Sequence, residues 1–545
     1  MIMSEEKILA VYDITGIQSF IFATNRLKEN LGGSIIVKKA SEDMLKNTII
    51  KNCENTLVEI ESKDINWNDH EAVIVYLGGG NALVIFNELE KAREITRELS
   101  EKVLELSGGL LSFNVAYEKI TLDNFRRDYN NVFANLIVKK NTFVKTTPLL
   151  GIGITKAELS SGLPVQSKDE KSREYLSFAT KSKRDKNDLS HFDFLLKGVE
   201  NYIFPAQFED LGQKVGENYI SVVHIDGDGV GKTIHNFLNK SIDDYGLSLY
   251  RMSKFSRGLN EIYAVAFKLL IADLIQSLEN TEFKKNFQLK HDNSSRPFLP
   301  IRPIILKGDD ITFITNGKLG VNLAAKYLKK LADLELRVID QVIPHSASAG
   351  VAIVKTTFPF DRAYALAEEL CKSAKKKGKI IQVKNNLSHR GFWLDFHIIQ
   401  SGFTSELSET RKTQYSIQGI PAPKDLITND NEMIYAQNKL LWRPWCVVGD
   451  SELPSKYSWV NLTSLIEGFI SSEDKWPRSK VKKLHNLLTG SNEEVNHFIL
   501  RMESRGVTLP PFQKDSKRFY DNVTPYFDAL ELLDYYLPQM EEILK

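Results

Sequence analysis

The sequence has few cysteines, almost no net charge and no long apolar run. Cys53, Cys371 and Cys446 are the 3 cysteines among 545 residues, too scattered for a CxxC zinc knuckle or a disulfide framework. No stretch approaches the roughly 18 apolar residues that a membrane span needs, and no basic, apolar leader precedes the first strand-like run at Ile8. We therefore expect a cytoplasmic protein that makes no membrane contact.

The charge balance limits the possible partners. Lys and Arg number 71 against 70 Asp and Glu, so a bulk polyanion-binding surface is excluded and any nucleic-acid contact must be local. Hydrophobic residues make up 42% and charged residues 26%, which is typical of a globular protein. The length predicts two to four domains.

An approximate internal repeat organises the chain, and both copies read strand, helix, hairpin, helix, strand, helix. In the first copy we predict strands at 7–13, 72–77, 82–86 and 110–120, a turn at 78–81, and helices at 15–28, at about 88–106 and from about 122. In the second copy we predict strands at 219–225, 303–306, 311–315 and 346–354, turns at 226–231 and 307–310, a long helical region after 231, and helices at 317–340 and 360–378.

This element order predicts an α+β fold with two ferredoxin-like palm domains, each an antiparallel sheet with its helices on one face. Amphipathic helical patterns after about residue 400 predict a separate helical domain. The predicted division is a first palm at 1–150, a helical linker subdomain at 151–215, a second palm at 216–400 and a C-terminal helical domain at 401–545.

Acidic residues mark one end of the second copy. Asp226 ends a strand, and Asp309 and Asp310 lie in the turn of the following hairpin. Carboxylates on neighbouring strands can share a cation, so these residues predict a site for Mg²⁺, or Mn²⁺, with catalytic potential. Hairpin turns favour Asp and Gly in any case, and that explanation is weakened because the acids recur at the matching strand end.

The turn after the first strand of the second copy predicts phosphate binding. Its residues Gly227, Asp228, Gly229 and Gly231 allow backbone N–H groups to face a triphosphate ahead of a helix. The same stretch nearly matches a P-loop, which makes a P-loop nucleoside triphosphatase the main alternative. We prefer the hairpin interpretation, because Asp226 stands where a P-loop requires glycine.

Two lysines on the last helix of this copy could reach the phosphates of a nucleotide on the sheet. They are Lys375 and Lys379, in the segment AEELCKSAKKKGK. Lysines before a helix-ending Gly378 also stabilise the helix dipole without any ligand, and that alternative stays open.

Several of these segments resemble a known family. SASAGVAI followed by ALAEELCKSAKKKGK resembles the end of GGDEF and palm-type cyclase domains, and DITGIQSFIFATNRLKENLGGS resembles the opening of the first palm in the large, polymerase-like subunit of type III CRISPR effector complexes. The resemblance covers roughly 7–135 and 218–385. The family's non-catalytic Gly-rich hairpin is matched by Gly78, Gly79, Gly80 and Asn81, and its GGDD hairpin by Lys307, Gly308, Asp309 and Asp310.

The resemblance implies a nucleotidyltransferase that converts ATP into cyclic oligoadenylates for antiviral defence. Asp226, Asp309 and Asp310 would be the catalytic Mg²⁺ ligands, and the glycine turns, Gly308 and the two lysines would bind nucleotide. A hydroxyl of one nucleotide would attack the α-phosphate of the next and release pyrophosphate, while the first palm positions the second nucleotide. RNA or other effector subunits are the implied activators.

Three departures from the family pattern suggest a divergent or stand-alone form. Lys307 replaces the first glycine of GGDD, no HD nuclease domain precedes the first palm, and the cysteines of the usual zinc module are missing between the palms. The alternatives are a non-catalytic ATP-binding sensor or scaffold and a diguanylate-cyclase-like enzyme. The base, the product ring and the oligomeric state are left open by the sequence.

Overall fold

Two β-sheets organise the protein, which we describe from a computed structural model. The described residues are 6–142, 152–170, 172–186, 188–199, 201–238, 244–400, 406–415, 440–471, 476–490, 492–513, 517, 520 and 523–542. Within these ranges, no helix has both the length and the apolar character required to span a membrane.

The first sheet is the centre of the first palm. Four strands lie in the order β2-β3-β1-β4, all antiparallel, which is the ferredoxin-like order. The elements are β1 (Lys7–Thr15), α1 (Ile17–Ile21), α2 (Leu27–Lys38), a π-helical turn (Lys39–Met44), α3 (Leu45–Asn52), β2 (Ala72–Gly78), β3 (Asn81–Phe86), α4 (Leu89–Ser107), β4 (Ser112–Ile120) and α5 (Phe125–Thr142).

The described residues of the inter-palm segment form the short strands β5 (Val165–Lys168) and β6 (Tyr175–Ser177), the α-helix α6 (Phe178–Asp185) and two 3-10 turns (Asp193–Leu196 and Phe208–Asp210). The prediction of a helical linker was therefore incomplete. Its charged residues pack onto the first palm, where the Arg184 guanidinium bonds the Glu29 carboxylate of α2 at 2.8 Å. Glu29 is buried, so this ion pair joins the segment to the palm.

The second sheet repeats the arrangement and extends it. Strands β8, β9, β7 and β12 lie in the same order as in the first palm, followed by β13, which is parallel to β12, and β14. The elements are β7 (Tyr219–Gly227), α7 (Val230–Leu238), α8 (Tyr245–Glu279), α9 (Thr281–Lys284), β8 (Ile301–Lys307), β9 (Asp310–Asn316), α10 (Gly320–Ala332), β10 (Leu336–Val338), β11 (Gln341–Ile343), β12 (Ala347–Lys355), α11 (Phe360–Lys384), β13 (Phe392–Ile398) and β14 (Trp445–Val448). The predicted α+β palm fold with a helical region is confirmed.

Helices cover both faces of each sheet, whereas the sequence predicted one face only. In the first palm α4 packs on one face, and α5 with the start of α8 packs on the other. In the second palm α11 covers one face, and α8 with α10 covers the other. Helix α8 is 35 residues long, so it contacts both sheets and links the two palms.

Two helix boundaries differ from the prediction. The helix predicted at 15–28 is two helices, α1 and α2, separated by residues 22–26. The helix predicted at 317–340 ends at Ala332, and the hairpin of β10 and β11 follows it. The buried Leu336 and Val338 alternate with exposed residues there, which is a strand pattern that the longer helical pattern concealed.

Helices dominate the C-terminal part, as predicted. They are α12 (Leu407–Gln414), α13 (Trp459–Ser471), α14 (Arg478–Leu488), α15 (Asn492–Glu503), α16 (Tyr526–Leu532) and α17 (Gln539–Glu542). Strand β14 belongs to the second sheet although it lies beyond residue 400, and helices α13 to α17 share one core cluster with that sheet. The predicted division into four domains stays a prediction.

Candidate functional site

The acidic residues predicted to bind metal lie together where β7 ends beside the β8–β9 hairpin. Ile225 of β7 pairs with Ile311 of β9, so the next residue outward, Asp226, lies opposite Asp310. Residues opposite each other in a sheet project from the same face. His224 on that face lies 3.5 Å from Asp310, measured from Nδ1 to Oδ1.

Asp309 occupies the space left by a missing side chain on β7. A Cβ atom on Gly227 would lie 2.8 Å from the Asp309 Oδ2 and 2.9 Å from the Tyr263 hydroxyl. The Gly227 N–H also donates to the Asp309 carbonyl oxygen at 3.2 Å. Glycine at position 227 therefore brings the hairpin against the end of β7.

The electrostatics of this cluster favour added positive charge. Burial, and then the charge of Asp226, raises the pKa of Asp309 to about 6. The pKa of Asp310 is raised by burial and by its two acidic neighbours, and its Oδ1 is buried although the side chain as a whole is 37% exposed. Burial lowers the pKa of His224 to about 4, so this histidine is neutral near pH 7 and supplies no cation.

The Lys375 ammonium lies among these carboxylates and supplies positive charge there. It donates to the Asp226 Oδ2 at 2.5 Å and to the Gly227 carbonyl oxygen at 2.8 Å, and lies 3.8 Å from the Asp228 Oδ1. Burial alone would lower the pKa of Lys375, but the combined effect of Asp226, Cys371 and Asp228 outweighs burial and the pKa is raised. The lysine therefore stays charged and holds the position between two oxygen ligands.

Two glycines let α11 lie close enough to the sheet for this contact. A Cβ atom on Gly350 of β12 would lie 2.0 Å from the Ala367 carbonyl oxygen of α11, and one on Gly378 would lie 2.7 Å from the Trp393 ring. Gly378 is thus an interior residue of a helix that continues to Lys384. The explanation of Lys375 by a helix-ending glycine was wrong, because no helix end is near.

The donors present suit a cation that arrives with a triphosphate. No group of three or more His, Cys, Asp or Glu side chains within the described ranges could hold a metal ion. The Lys375 ammonium, however, already sits between a carboxylate and a carbonyl oxygen. Asp228 and Asp310 each bury an Oδ1 that accepts no hydrogen bond from the described residues. Mg²⁺ is commonly held by one or two carboxylates together with substrate phosphates, which matches this set.

The glycine-rich turn continues from β7 into α7. The side chain of Asp228 is 1% exposed and accepts a hydrogen bond from the Ser348 hydroxyl at 2.9 Å, so it shapes the turn from beneath. Gly229 has a φ of +70°, and α7 begins at Val230. Nothing lies within 4 Å of where a Cβ of Gly231 would be, which leaves open space beside the helix start.

The glycine hairpin of the first palm lies against the hairpin of the second. Gly79 and Gly80 form the tip between β2 and β3 with φ values of +60° and +86°, which favour glycine. A Cβ atom on Gly308, itself at φ +59°, would lie 3.7 Å from the Gly79 Cα. The predicted hairpin residues 78–81 and 307–310 are thus brought together.

Asn260 of α8 bridges the two hairpins. Its Oδ1 accepts a hydrogen bond from the Gly308 N–H at 2.6 Å. A Cβ on Gly78 would lie 3.2 Å from the Asn260 Nδ2, so the amide also lies against the first hairpin. One side chain therefore fixes the second hairpin beside the first.

Lys307 contacts the first palm. Its ammonium donates to the Ser41 hydroxyl and lies 3.5 Å from the Glu42 carboxylate, both in the π-helical turn. Burial lowers the pKa of Lys307, against the effect of Glu42. The lysine in place of the family glycine therefore anchors the hairpin to the first palm.

The first palm contains a counterpart of the Asp226–Lys375 pair. Asp13 near the end of β1 pairs in register with Asn81 of the first hairpin, as Asp226 lies opposite Asp310. Lys140 of α5, the helix that follows the fourth strand, lies 2.7 Å from the Asp13 carboxylate. Aligning the two repeats would have found this pair.

Other residues of the site were missed by the sequence interpretation, and one predicted residue lies apart. Asn260 and Tyr263 come from α8, whose long sequence separation from the hairpins left no signal. Lys379 is exposed one helical turn beyond Lys375 and makes no described contact with the acidic cluster.

A family model matches the part of the chain that carries the acidic cluster. Residues 219–387 match the second palm domain of Cas10/Cmr2. This part of the chain is similar to the second palm domain of Cas10/Cmr2 proteins. The match spans β7, the β8–β9 hairpin, β12 and α11, so every side chain of the cluster falls inside the Cas10-like region. A search of curated proteins found no match.

Solved Csm1 structures share the Cas10-like fold over nearly the whole chain. The Csm1–Csm4 cassette in complex with cA4 matches at 12% identity and a TM-score of 0.52, covering 99% of this chain and 70% of the other. The cassette in complex with AMPPNP matches at 12% identity and a TM-score of 0.52, covering 97% of this chain and 69% of the other. Csm1 of T. onnurineus matches at 12% identity and a TM-score of 0.52, covering 98% of this chain and 70% of the other. The resemblance inferred from sequence is confirmed for a Cas10-like palm protein.

The bridge formed by Asn260 predicts a positional effect on this site. We expect Asn260→Ala to lower the turnover rate of any nucleotide product by roughly tenfold, because the Gly308 N–H loses its acceptor. The Michaelis constant for ATP should change little, since the hydrogen bond of this amide in the described part of the chain is to the hairpin at Gly308. Steady-state kinetics measures both quantities.

Two controls accompany that variant. Asn260→Asp keeps the acceptor oxygen and should retain more turnover, whereas Glu261→Gln changes the next, exposed residue and should be neutral. A rate for Asn260→Ala equal to that of the unmodified protein would show that the hairpins keep their positions without the bridge.

Proposed function

We propose that the protein is a metal-dependent nucleotidyltransferase that joins ATP into oligoadenylates, cyclic ones included, with release of pyrophosphate. The observation that carries this proposal is the cluster of Asp226, Asp309 and Asp310 on adjacent strand ends of a Cas10/Cmr2 palm, with Lys375 between two of its oxygen donors. Relatives solved with cA4, pppApA and AMPPNP support the choice of adenine nucleotides.

The residues of the second palm divide the work by position. Asp226, with Asp309 or Asp310, would hold Mg²⁺, which when bound neutralises phosphate charge and lowers the pKa of an attacking hydroxyl. The turn at 227–231 offers N–H groups and the start of α7 to the triphosphate. Lys375, which donates to Asp226 and to the Gly227 carbonyl oxygen, would place its positive charge beside the phosphates.

The first palm would supply the second nucleotide. Its glycine hairpin touches the catalytic hairpin at Gly79 and Gly308, so nucleotides on the two palms would lie next to each other. The Asp13–Lys140 pair at the matching place suits a nucleotide that is positioned rather than activated. The attacking hydroxyl would come from this nucleotide and the α-phosphate from the other.

A non-catalytic ATP sensor is the second candidate. It is favoured by the absence, within the described ranges, of a three-carboxylate group ready to hold a metal, and by Lys375 occupying the cation position. A sensor would bind ATP equally well with and without Mg²⁺ and would form no new phosphodiester bond.

We further propose that the protein works with partner subunits of a type III CRISPR effector. Solved relatives are described as Csm1 with Csm4, one of them as a subcomplex of the type III-A interference complex. RNA or those subunits would then be the activating signal.

The proposal is tested by incubating the purified protein with each labelled nucleoside triphosphate and Mg²⁺ or Mn²⁺, and resolving the products by chromatography. We expect ATP to give oligoadenylates and one pyrophosphate for each phosphodiester bond formed. A protein that binds ATP but stays silent with candidate RNA and partner subunits added would support the sensor instead.

A further inference from the structure

Arg390 lies beside the glycine-rich turn, in the segment that joins α11 to β13. A Cβ atom on Gly229 would lie 3.6 Å from its Nη1, 3.7 Å from its Nη2 and 3.8 Å from its Cζ. The guanidinium of Arg390 therefore lies beside the Cβ position of Gly229. Position 390 follows the end of the family match at 387, so the match assigns it no role.

The guanidinium has no polar partner among the described residues. Arg390 is half-buried, yet its side chain donates no hydrogen bond and forms no ion pair there, whereas Arg184, Arg411 and Arg443 are all engaged with carboxylates. An arginine beside a polar site with all its donors available is suited to an anion that is not part of the protein.

The backbone around Arg390 is held in place. The Trp393 Nε1 donates to the Arg390 carbonyl oxygen at 2.6 Å, and the Gly391 N–H donates to the His389 Nδ1 at 3.1 Å. The Ser388 N–H bonds the Asp450 carboxylate at 2.9 Å, which fixes the segment to the loop after β14. The side chain is thus presented from an anchored segment, which lowers the entropy cost of binding.

Arg390 and Lys375 lie on two sides of the same turn. Lys375 donates a hydrogen bond to the turn at the Gly227 carbonyl oxygen, and the Arg390 guanidinium lies beside the turn at Gly229. Between them the turn leads into α7, whose first N–H groups have no partner within the helix. Two cations around such a turn match the charge of a polyphosphate, and the arginine fork suits two phosphate oxygens at once.

We propose that Arg390 binds the terminal phosphates of the nucleotide held on the second palm. This inference rests on the proposed function, since it needs a nucleoside triphosphate at the site. The competing explanation is that Arg390 only offsets the buried carboxylate of Asp228, on which its charge acts. That explanation predicts a loss of stability with no dependence on the number of phosphates in the ligand.

Titration calorimetry with ATP, ADP and AMP in the presence of Mg²⁺ separates these explanations. For Arg390→Gln we expect roughly 10- to 100-fold weaker binding of ATP, a similar or smaller loss for ADP and less than twofold for AMP. Arg390→Lys keeps the positive charge but loses the paired hydrogen bonds of the guanidinium, so its affinity for ATP should lie between those of Arg390→Gln and the unmodified protein. Arg505→Gln, on an exposed residue of the C-terminal helical region, is the matched control and should bind as the unmodified protein does.

Three outcomes would overturn the assignment. If Arg390→Gln binds ATP as tightly as the unmodified protein, the assignment of Arg390 fails and the proposed function is unaffected. If Arg390→Gln loses equal affinity for ATP and AMP, Arg390 acts only through its electrostatic effect on Asp228. If the unmodified protein binds no nucleotide, the proposed function and this inference fail together. If it binds ATP with the predicted phosphate dependence but makes no product, the Arg390 assignment stands and only the catalytic proposal fails.

Discussion

Asp309→Ala should abolish oligonucleotide synthesis, lowering the rate by at least about a thousandfold. The carboxylate lies against Gly227 at the end of β7, where it would share a cation with Asp226. Without this carboxylate, the ion that would neutralise the charge developing on the reacting phosphate loses one of its protein ligands. Product formation from labelled ATP, resolved by chromatography, measures the effect.

The same variant should keep its affinity for ATP when no metal is present, because Lys375 and the turn at 227–231 are unchanged. Asp340→Ala, an exposed acid at the tip of the β10–β11 hairpin in the same palm, is the matched control and should synthesise product normally. Equal product from Asp309→Ala and the unmodified protein would remove the catalytic assignment of this hairpin.

The parts of this site that lie at strand ends could be predicted from sequence, because the strands have a simple signal. The apolar runs before Asp226 and on both sides of Gly308 define two neighbouring strands, and the geometry of a sheet then brings their ends within a few ångströms. The repeat added the order of elements, which the two sheets share. These local patterns are enough to predict that the acids lie at neighbouring strand ends.

The residues that reach the site from other elements could not be predicted in this way. Asn260 and Tyr263 belong to a helix whose apolar pattern fits any buried helix, and Arg390 lies in a loop without a motif. Their positions depend on how α8 and α11 pack across the sheet, which depends on single close contacts such as Gly350 against Ala367. A sequence shows that a glycine is present but not which backbone passes over it.

Lys307 shows how one substitution can change a role. At the first position of the hairpin a glycine could not make the polar contacts that the lysine makes with Ser41 and Glu42 of the π-helical turn. The sequence showed the departure from the family pattern and suggested a change in the turn or a phosphate contact. In the structure the two palms gain a polar link beside the site.

A second large effect is expected at the junction between the second sheet and the C-terminal helices. Arg443, just before β14, is fully buried and donates to the Glu531 carboxylate of α16 at 2.6 Å. Its guanidinium also lies 3.8 Å from the Asp528 carboxylate and 4.2 Å from the centre of the Phe396 ring. Removing one partner of a buried ion pair leaves uncompensated charge.

Arg443→Ala should therefore lower the free energy of unfolding by about 3–5 kcal/mol. Asp528 keeps the hydrogen bond from the Trp445 Nε1 at 2.9 Å, but both carboxylates lose their cation. Urea unfolding followed by tryptophan fluorescence measures the loss, because Trp442 and Trp445 lie beside the network. Arg505→Ala, an exposed change, should cost less than about 0.5 kcal/mol.

The loss caused by Arg443→Ala should also depend on pH, with a sign set by the buried carboxyl. Burial raises the pKa of Asp528 to about 6 even with Arg443 opposing it, so removing the arginine raises this pKa further. The folded variant then binds a proton that the unfolded chain releases, and its stability falls as the pH rises. The difference from the unmodified protein should be smaller at pH 5 than at pH 8. A difference that is constant with pH would show that lost packing against Phe396, rather than unpaired charge, causes the destabilisation.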